Sequence, residues 1–291
     1  MAINLYTNLS SILYNNMEEY KSKILKSFDS KAHTYEEYSI AQKEISKRMI
    51  ERLLIMKFKP HHILDLGCGT GFLSELLSKQ FPNAKLTCLD ISENMLTECR
   101  KKNNGFNLVS GDIENLPFSR PSFDLIVSSF TLHWCEQIDK VFKDALGLLF
   151  NKGLFMFTTV GPKTLQELQE AYSKIDSLQH INTFSDMHLY GDSLLNCGFK
   201  DPVMDMEEII FQYSTFRDVL NSLKKTGANT VIGQNKSHMS KENYKNLLKA
   251  YPQSSSDNSF SVTYEMIYGI GWKNITEKEI VNSKVIPIKK I

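Results

Sequence analysis

The strongest chemical signal in the chain is the run Ile63-Leu64-Asp65-Leu66-Gly67-Cys68-Gly69-Thr70-Gly71. An apolar segment leads straight into three alternating glycines, and a helical pattern opens at Phe72. Without a Cβ, Gly67 and Gly69 let the backbone bend tightly and come close to a ligand. The amides that open the following helix are expected to add a positive end. Two further acids stand in register with this turn. Asp90 closes the apolar run 86–89, and Asp112 follows the run 106–109 in the turn Ser110-Gly111-Asp112-Ile113. A carboxylate at the first place can accept both hydroxyls of a ribose; the second is placed to meet an adenine amino group. The dinucleotide fingerprint G-x-G-x-x-G wants glycine where this chain has Phe72, which speaks against a nicotinamide dehydrogenase.

These residues need a scaffold, and the pattern around them supplies one. Short runs rich in Ile, Leu, Val and Phe fall at 62–66, 85–90, 106–109, 123–128 and 154–160, with helical stretches at 71–80, 93–102, 136–149 and 164–178 between or after them. Strands separated by helix-length connections pair in parallel through right-handed crossovers, so an open, mostly parallel α/β sheet covered on both faces is expected. Upstream, Ile45, Met49, Leu53 and Met56 recur at helical spacing in 20–56, and Pro60 ends that helix. Downstream come a helix near 186–196, a strand over 203–211, a polar helical stretch 215–250 broken at Gly227 and Gly233, a Ser-rich loop at 253–259 and a late strand over 260–270. The expected organisation is an N-terminal appendage (1–22), a sheet domain (23–270) with a helical cap (215–250) inserted before its last strand, and a tail (271–291).

Composition bounds the function. The chain has 291 residues, 42% hydrophobic and 23% charged, with 17 Phe and 12 Tyr, enough apolar mass for a substantial core. Lys+Arg (34) balance Asp+Glu (33) and show no long basic cluster, which argues against nucleic-acid binding. No apolar run reaches the ~18 residues of a membrane span, and the first twenty residues lack the pattern of a secretory signal, so a cytoplasmic protein is expected. The five cysteines, at 68, 88, 99, 135 and 197, show neither a disulfide framework nor metal-ligand spacing.

Asp65 to Gly71, Asp90, Asp112 and the strand Phe123 to Ser128 resemble the successive motifs of the class I S-adenosylmethionine-dependent methyltransferases, over residues 28–160. That resemblance implies S-adenosyl-L-methionine as cofactor. Gly67, Gly69 and Thr70 would line its methionyl end, Asp90 would hold the ribose, and Ile91, Met95, Asp112 and Ile113 would enclose the adenine. Tyr35, Gln42, Asp65, Cys68, Gly111 and Ser128 complete the implied cofactor set. Ile91 and Met95 equally suit a core, and Phe28 and Tyr35 equally suit packing of the N-terminal helix on the sheet.

After the fourth strand, Ser128-Ser129-Phe130-Thr131-Leu132-His133-Trp134-Cys135 lacks the Asn/Asp-Pro-Pro-aromatic sequence that base N-methyltransferases use to hold a planar amine. Trp134-Cys135, Phe155-Met156-Phe157-Thr158-Thr159, His180-x-Asn182-x-Phe184, Leu223-Lys224-x-x-Gly227-Ala228 and Val262-Thr263-Tyr264 together resemble the malonyl-acyl-carrier-protein O-methyltransferases of biotin synthesis, over most of 26–270. That likeness implies methylation of the free carboxylate of a malonyl thioester on acyl carrier protein, or on coenzyme A, giving a methyl-ester primer. It implies no catalytic acid or base. Tyr35, His133, Trp134, His180, Asn182 and Lys224 are the substrate-positioning candidates. Each has a plainer reading: a core histidine for His133, loop caps for His180 and Asn182, a solvated face for Lys224 with Lys225. A carboxylate methyltransferase of the aconitate type, or a methyltransferase-like assembly factor, shares the cofactor motifs.

Overall fold

The structure is a computed structural model that describes residues 19–228, 240–253 and 259–274. The expectations for 1–18, the break at Gly233, most of the Ser-rich loop and the tail beyond 274 lie outside the described residues. Residues 19–29 form helix α1, followed by α2 (Ala32–Tyr38) and α3 (Ile40–Ile55). The single helix expected from Tyr20 onward is thus three. At the second break Ser39 leaves helical geometry (φ −83°, ψ 47°), and its N–H closes α2 on the Tyr35 carbonyl. The expected boundary at 22/23 falls inside α1.

The sheet then builds by alternation: β1 (His62–Leu66), α4 (Phe72–Gln80), β2 (Lys85–Asp90), α5 (Glu93–Lys102), β3 (Asn107–Ser110), β4 (Phe123–Ser129), α6 (Ile138–Leu148) and β5 (Leu149–Val160). After α7 (Gln166–Ser173) and α8 (Met187–Cys197) come β6 (Lys200–Tyr213), α9 (Phe216–Lys225), α10 (Lys241–Ala250) and β7 (Phe260–Lys273). Among the described residues the seven strands lie in the order β3-β2-β1-β4-β5-β7-β6, and β7 runs opposite to the other six. The mostly parallel sheet is as expected, and α9 and α10 are inserted between the last two strands.

Alternation along β1 divides the core. Ile63 faces Met49, Leu53, Leu77 and Leu86, whereas Leu64 and Leu66 face Phe142, Phe155 and Phe157. Rings fill the second layer: Phe142 stands 5.3 Å from Phe155 and 5.2 Å from Phe157, all fully buried. Burying each such side chain contributes about 1.5–3 kcal/mol. A third cluster joins β7 to the inserted helices through Phe216, Tyr251 and Phe260. Side chains cap the helices that matter below: Ser92 accepts the Met95 N–H at the start of α5, and Thr215 accepts the Asp218 N–H at α9. Among the described residues no helix is long and apolar enough to cross a membrane.

Candidate functional site

At the carboxyl ends of β1, β2, β3 and β4 lies a cleft of about 790 Å³, counted out to its open mouth. This is where an open α/β sheet presents ligands. The glycine turn forms part of its floor. Gly67 has φ +73°, and a Cβ there would fall 2.3 Å from the Thr131 hydroxyl, so the turn and the loop after β4 can meet only with glycine at this place. Gly69 has φ +54°, and a Cβ would meet none of the described residues within 4 Å, so they leave open space above the turn.

The turn works by lacking side chains rather than by offering donors. The Gly67 and Cys68 amides both donate to the Leu89 carbonyl (2.8 and 3.0 Å), Gly69 N–H to Asp90 Oδ2 (2.8 Å) and Gly71 N–H to the Cys68 carbonyl (2.9 Å). These four amides of the turn are therefore engaged inside the protein. Asp90 also accepts the Ser92 N–H at 2.9 Å. Burial pushes its carboxyl up to about 6 despite these donors.

Of the residues expected to bind a cofactor, Tyr35, Gly67, Gly69, Asp90, Ile91, Met95, Gly111, Asp112 and Ile113 all line this cleft. Five do not. Asp65 lies on the α4 side of the sheet, where the Ser74 hydroxyl donates to it at 2.6 Å, and burial raises its pKa to about 7. It fastens β1 to α4 beneath the turn. Ser128 donates to the Leu66 carbonyl (2.9 Å) and fastens β4 to β1. Cys68 is buried in the core with Cys88 and Cys99, and all five cysteines are free thiols. Thr70, also buried, donates to Glu36 of α2 (3.3 Å), which additionally pairs with Lys102. That link draws α2 and its Tyr35 over the turn. Gln42 sits on α3 outside the cleft lining and accepts the Ser46 hydroxyl at its carbonyl.

The far wall is aromatic. Phe130 adopts φ +58°, a left-handed conformation costing about 1–2 kcal/mol for a non-glycine residue. Its N–H donates to the Thr158 carbonyl (3.1 Å), and its ring lies 5.8 Å from His133 and 5.9 Å from Tyr264. Trp134 lines the cleft and meets Phe28 edge-on at 5.5 Å. His133 stands behind this wall, packed by Phe130, Trp134 and Phe184. Its Nδ1 is buried with no hydrogen-bond partner among the described residues, and burial lowers its pKa to about 3, so the ring is neutral.

The other substrate candidates lie apart from the cleft lining. His180 stacks flat on Tyr172 (3.9 Å) and its Nε2 sits 2.9 Å from Asp176, an arrangement that closes the loop after α7. Ile181 and Phe184, flanking Asn182, pack into the cluster that holds Phe130. Lys224 is exposed on α9. The end of that helix is tied down: Ser27 donates to the Gly227 carbonyl (3.1 Å) and Thr34 to the Lys225 carbonyl (3.3 Å).

Sequence reasoning missed one whole wall. Lys21, Ile24 and Phe28 of α1 all line the cleft, together with Glu114 and Cys135. Spacing of three and then four places the first three on one helical face, a signal present in the sequence but hidden by the polar residues around it.

A sheet of this order, with a glycine turn after its first strand and an acid closing its second, defines an open α/β methyltransferase. Residues 64–157 match the methyltransferase domain family. Among solved structures, a putative methyltransferase from Bacillus halodurans is similar at 17% identity, TM-score 0.57, covering 78% of this chain and 98% of that one. The malonyl-acyl-carrier-protein O-methyltransferase of Gallionella capsiferriformans is 35% identical over 87% of this chain and 91% of its own length. That of Legionella pneumophila is 37% identical over 88% of this chain and 92% of its own. The chain belongs to the malonyl-acyl-carrier-protein O-methyltransferase family.

Proposed function

We propose that the protein transfers a methyl group from S-adenosylmethionine to the free carboxylate of a malonyl thioester on acyl carrier protein, acting in the cytoplasm and supplying a methyl-ester primer for biotin synthesis. The cleft suits the cofactor. Open space above Gly69, carboxylates at Asp90 and Asp112, and the apolar walls of Ile91 and Met95 match a nucleoside bearing a charged chain. When bound, S-adenosylmethionine supplies a methyl group already activated on a sulfonium.

The observation that carries the acceptor reading is that, among the described residues, neither His133 nor Tyr35 at the aromatic wall can serve as a base. His133 is neutral with a pKa near 3, and burial holds the Tyr35 phenol well above its ordinary range. An acceptor that must first lose a proton is poorly served there. A carboxylate with a pKa of about 4 is already ionised at neutral pH. The protein then has to orient the oxygen and exclude water, which Tyr35, Phe130, Trp134 and Phe184 are suited to do. In this reading His133, through its buried Nδ1, and Asn182 orient the malonyl group, while His180 holds the loop that carries Asn182. The described helices of 215–250, α9 and α10, serve as the cap of the 23–270 domain, and Lys224 and Lys225 face the acidic carrier.

Two results test this. Initial rates should rank malonyl-loaded carrier first, malonyl-coenzyme A next and free aconitate last; a preference for the free acid would replace the carrier reading with the small-acid one. Charge reversal at Lys224 and Lys225 should raise KM for the carrier-borne substrate alone, and unchanged kinetics would remove them from docking.

Cofactor binding should also depend on pH in a set direction. Ribose hydroxyls donate to the ionised Asp90, so binding favours the form present above its pKa of about 6. Affinity for S-adenosylhomocysteine, measured by calorimetry, should be flat above pH 7 and fall as pH drops below about 6, by up to about tenfold per unit. A flat profile down to pH 5 would contradict the role given to Asp90.

A further inference from the structure

Helix α1 crosses the cleft with both ends fastened. Near its start the Lys21 ammonium lies 2.7 Å from Asp112 Oδ2 and 2.6 Å from Glu114 Oε2. At its other end Asp29 Oδ1 accepts the Ser92 hydroxyl (2.8 Å) and the Asn94 N–H (3.2 Å), and Oδ2 accepts the Asn94 side-chain amide (2.8 Å). The second fastening joins α1 to the first turn of α5 and fixes the helix along its axis. Ile24 and Phe28 between them form part of the cleft wall, so Lys21 reaches the cleft on the face that touches the ligand space.

Asp112 is thereby held from two sides. Its Oδ1 accepts the Glu114 N–H at 2.9 Å, and its Oδ2 faces Lys21. Glu114 is almost fully buried, so without the ammonium two carboxylates would confront each other at the edge of a low-dielectric cleft. Asp112 would then take a proton or turn to solvent. An ionised, fixed acceptor holds an adenine amino group more tightly, since a hydrogen bond to a charged group is worth roughly twice a neutral one.

We propose that Lys21 is a positioning residue for the cofactor's adenine: pinned across Asp112 and Glu114, it fixes the Asp112 carboxylate as acceptor for the exocyclic amino group. This rests on the reading of Asp112 as the adenine acceptor. The role belongs to binding and not to the methyl transfer itself.

Calorimetry with two ligands tests it: S-adenosylhomocysteine, which carries the amino group, and S-inosylhomocysteine, which has an oxygen in its place. The unaltered protein should prefer the adenosyl ligand. Lys21→Met keeps the apolar stem and removes the charge; it should weaken the adenosyl ligand about tenfold and leave the inosyl ligand nearly unchanged, collapsing the preference. Lys21→Arg should restore most of it. A melting curve of each variant establishes that folded protein is compared. Equal weakening of both ligands would mean that Lys21 merely holds the wall together and would overturn the proposal, as would no change in either. Asp112→Asn separates the underlying reading. If that variant keeps the full preference, adenine does not meet Asp112; if it loses the preference while Lys21→Met keeps it, the Asp112 reading stands and the Lys21 proposal falls.

Discussion

Asp90→Asn is expected to raise the dissociation constant for S-adenosylhomocysteine about 100-fold, a loss of ~3 kcal/mol at about 1.4 kcal/mol per tenfold. Asp90 does two things at once. Its oxygens hold the Gly69 and Ser92 amides, which shape the turn and the entry to α5, and they present a negative acceptor to the cleft. Asparagine has one carbonyl oxygen and one amino group. Whichever way it turns, an amide donor of the protein confronts another donor, and the charge that strengthens the ribose hydrogen bonds is gone. Because burial already lifts the Asp90 pKa to about 6, neutralising the group removes a desolvation cost and the fold should survive. Calorimetry on the folded variant reads the effect, and an unchanged dissociation constant would remove Asp90 from the ribose site.

Glu114→Ala should have the largest effect on stability, lowering Tm by about 10 °C. The carboxylate is nearly inaccessible, yet it accepts the Glu136 N–H at 2.9 Å and the Gln137 N–H beside it, and pairs with Lys21 at 2.6 Å. These contacts tie β3, α1 and the entry to α6 at one point. Lys140 adds a bond to the Glu114 carbonyl, which the substitution leaves in place. Truncation leaves two amides unsatisfied in a partly dry region and Lys21 with Asp112 as its remaining carboxylate partner, and breaking such a buried pair costs about 3–5 kcal/mol. For a chain above 150 residues each kcal/mol moves Tm by about 2–4 °C. Thermal unfolding followed by circular dichroism checks this, and a shift within about 2 °C would show that water replaces the lost contacts freely.

Most of the sheet was legible because its strands carry short apolar runs and its crossovers carry helical spacing, both local properties. Asp90 and Asp112 were legible for the same reason: Asp90 closes β2 and Asp112 stands in the turn just after β3, at the carboxyl edge the parallel topology turns toward a ligand. Asp65 was not. Its place two residues before Gly67 says that it ends near the cleft, but only the pleat decides the face, and Ser74 claims it on the other side. The hydrogen bonds of the Gly67 and Cys68 amides were equally hidden, because their partner is the Leu89 carbonyl of the adjacent strand, a contact no local pattern reveals. The wall made by α1 was lost because Lys21 reads as solvated until a tertiary fold brings two carboxylates to it. His180 shows the reverse: a histidine beside a family-like motif invites a role at the substrate, yet its partner lies four residues earlier at Asp176.

The most direct measurement is the site of methylation after a single turnover. Malonyl-loaded carrier protein incubated with excess protein and one equivalent of labelled S-adenosylmethionine should gain one labelled methyl group, and tandem mass spectrometry should place it as an ester on the terminal carboxylate of the malonyl arm. Label on any other atom of the carrier, or none on the malonyl group while calorimetry shows cofactor bound, would contradict the account.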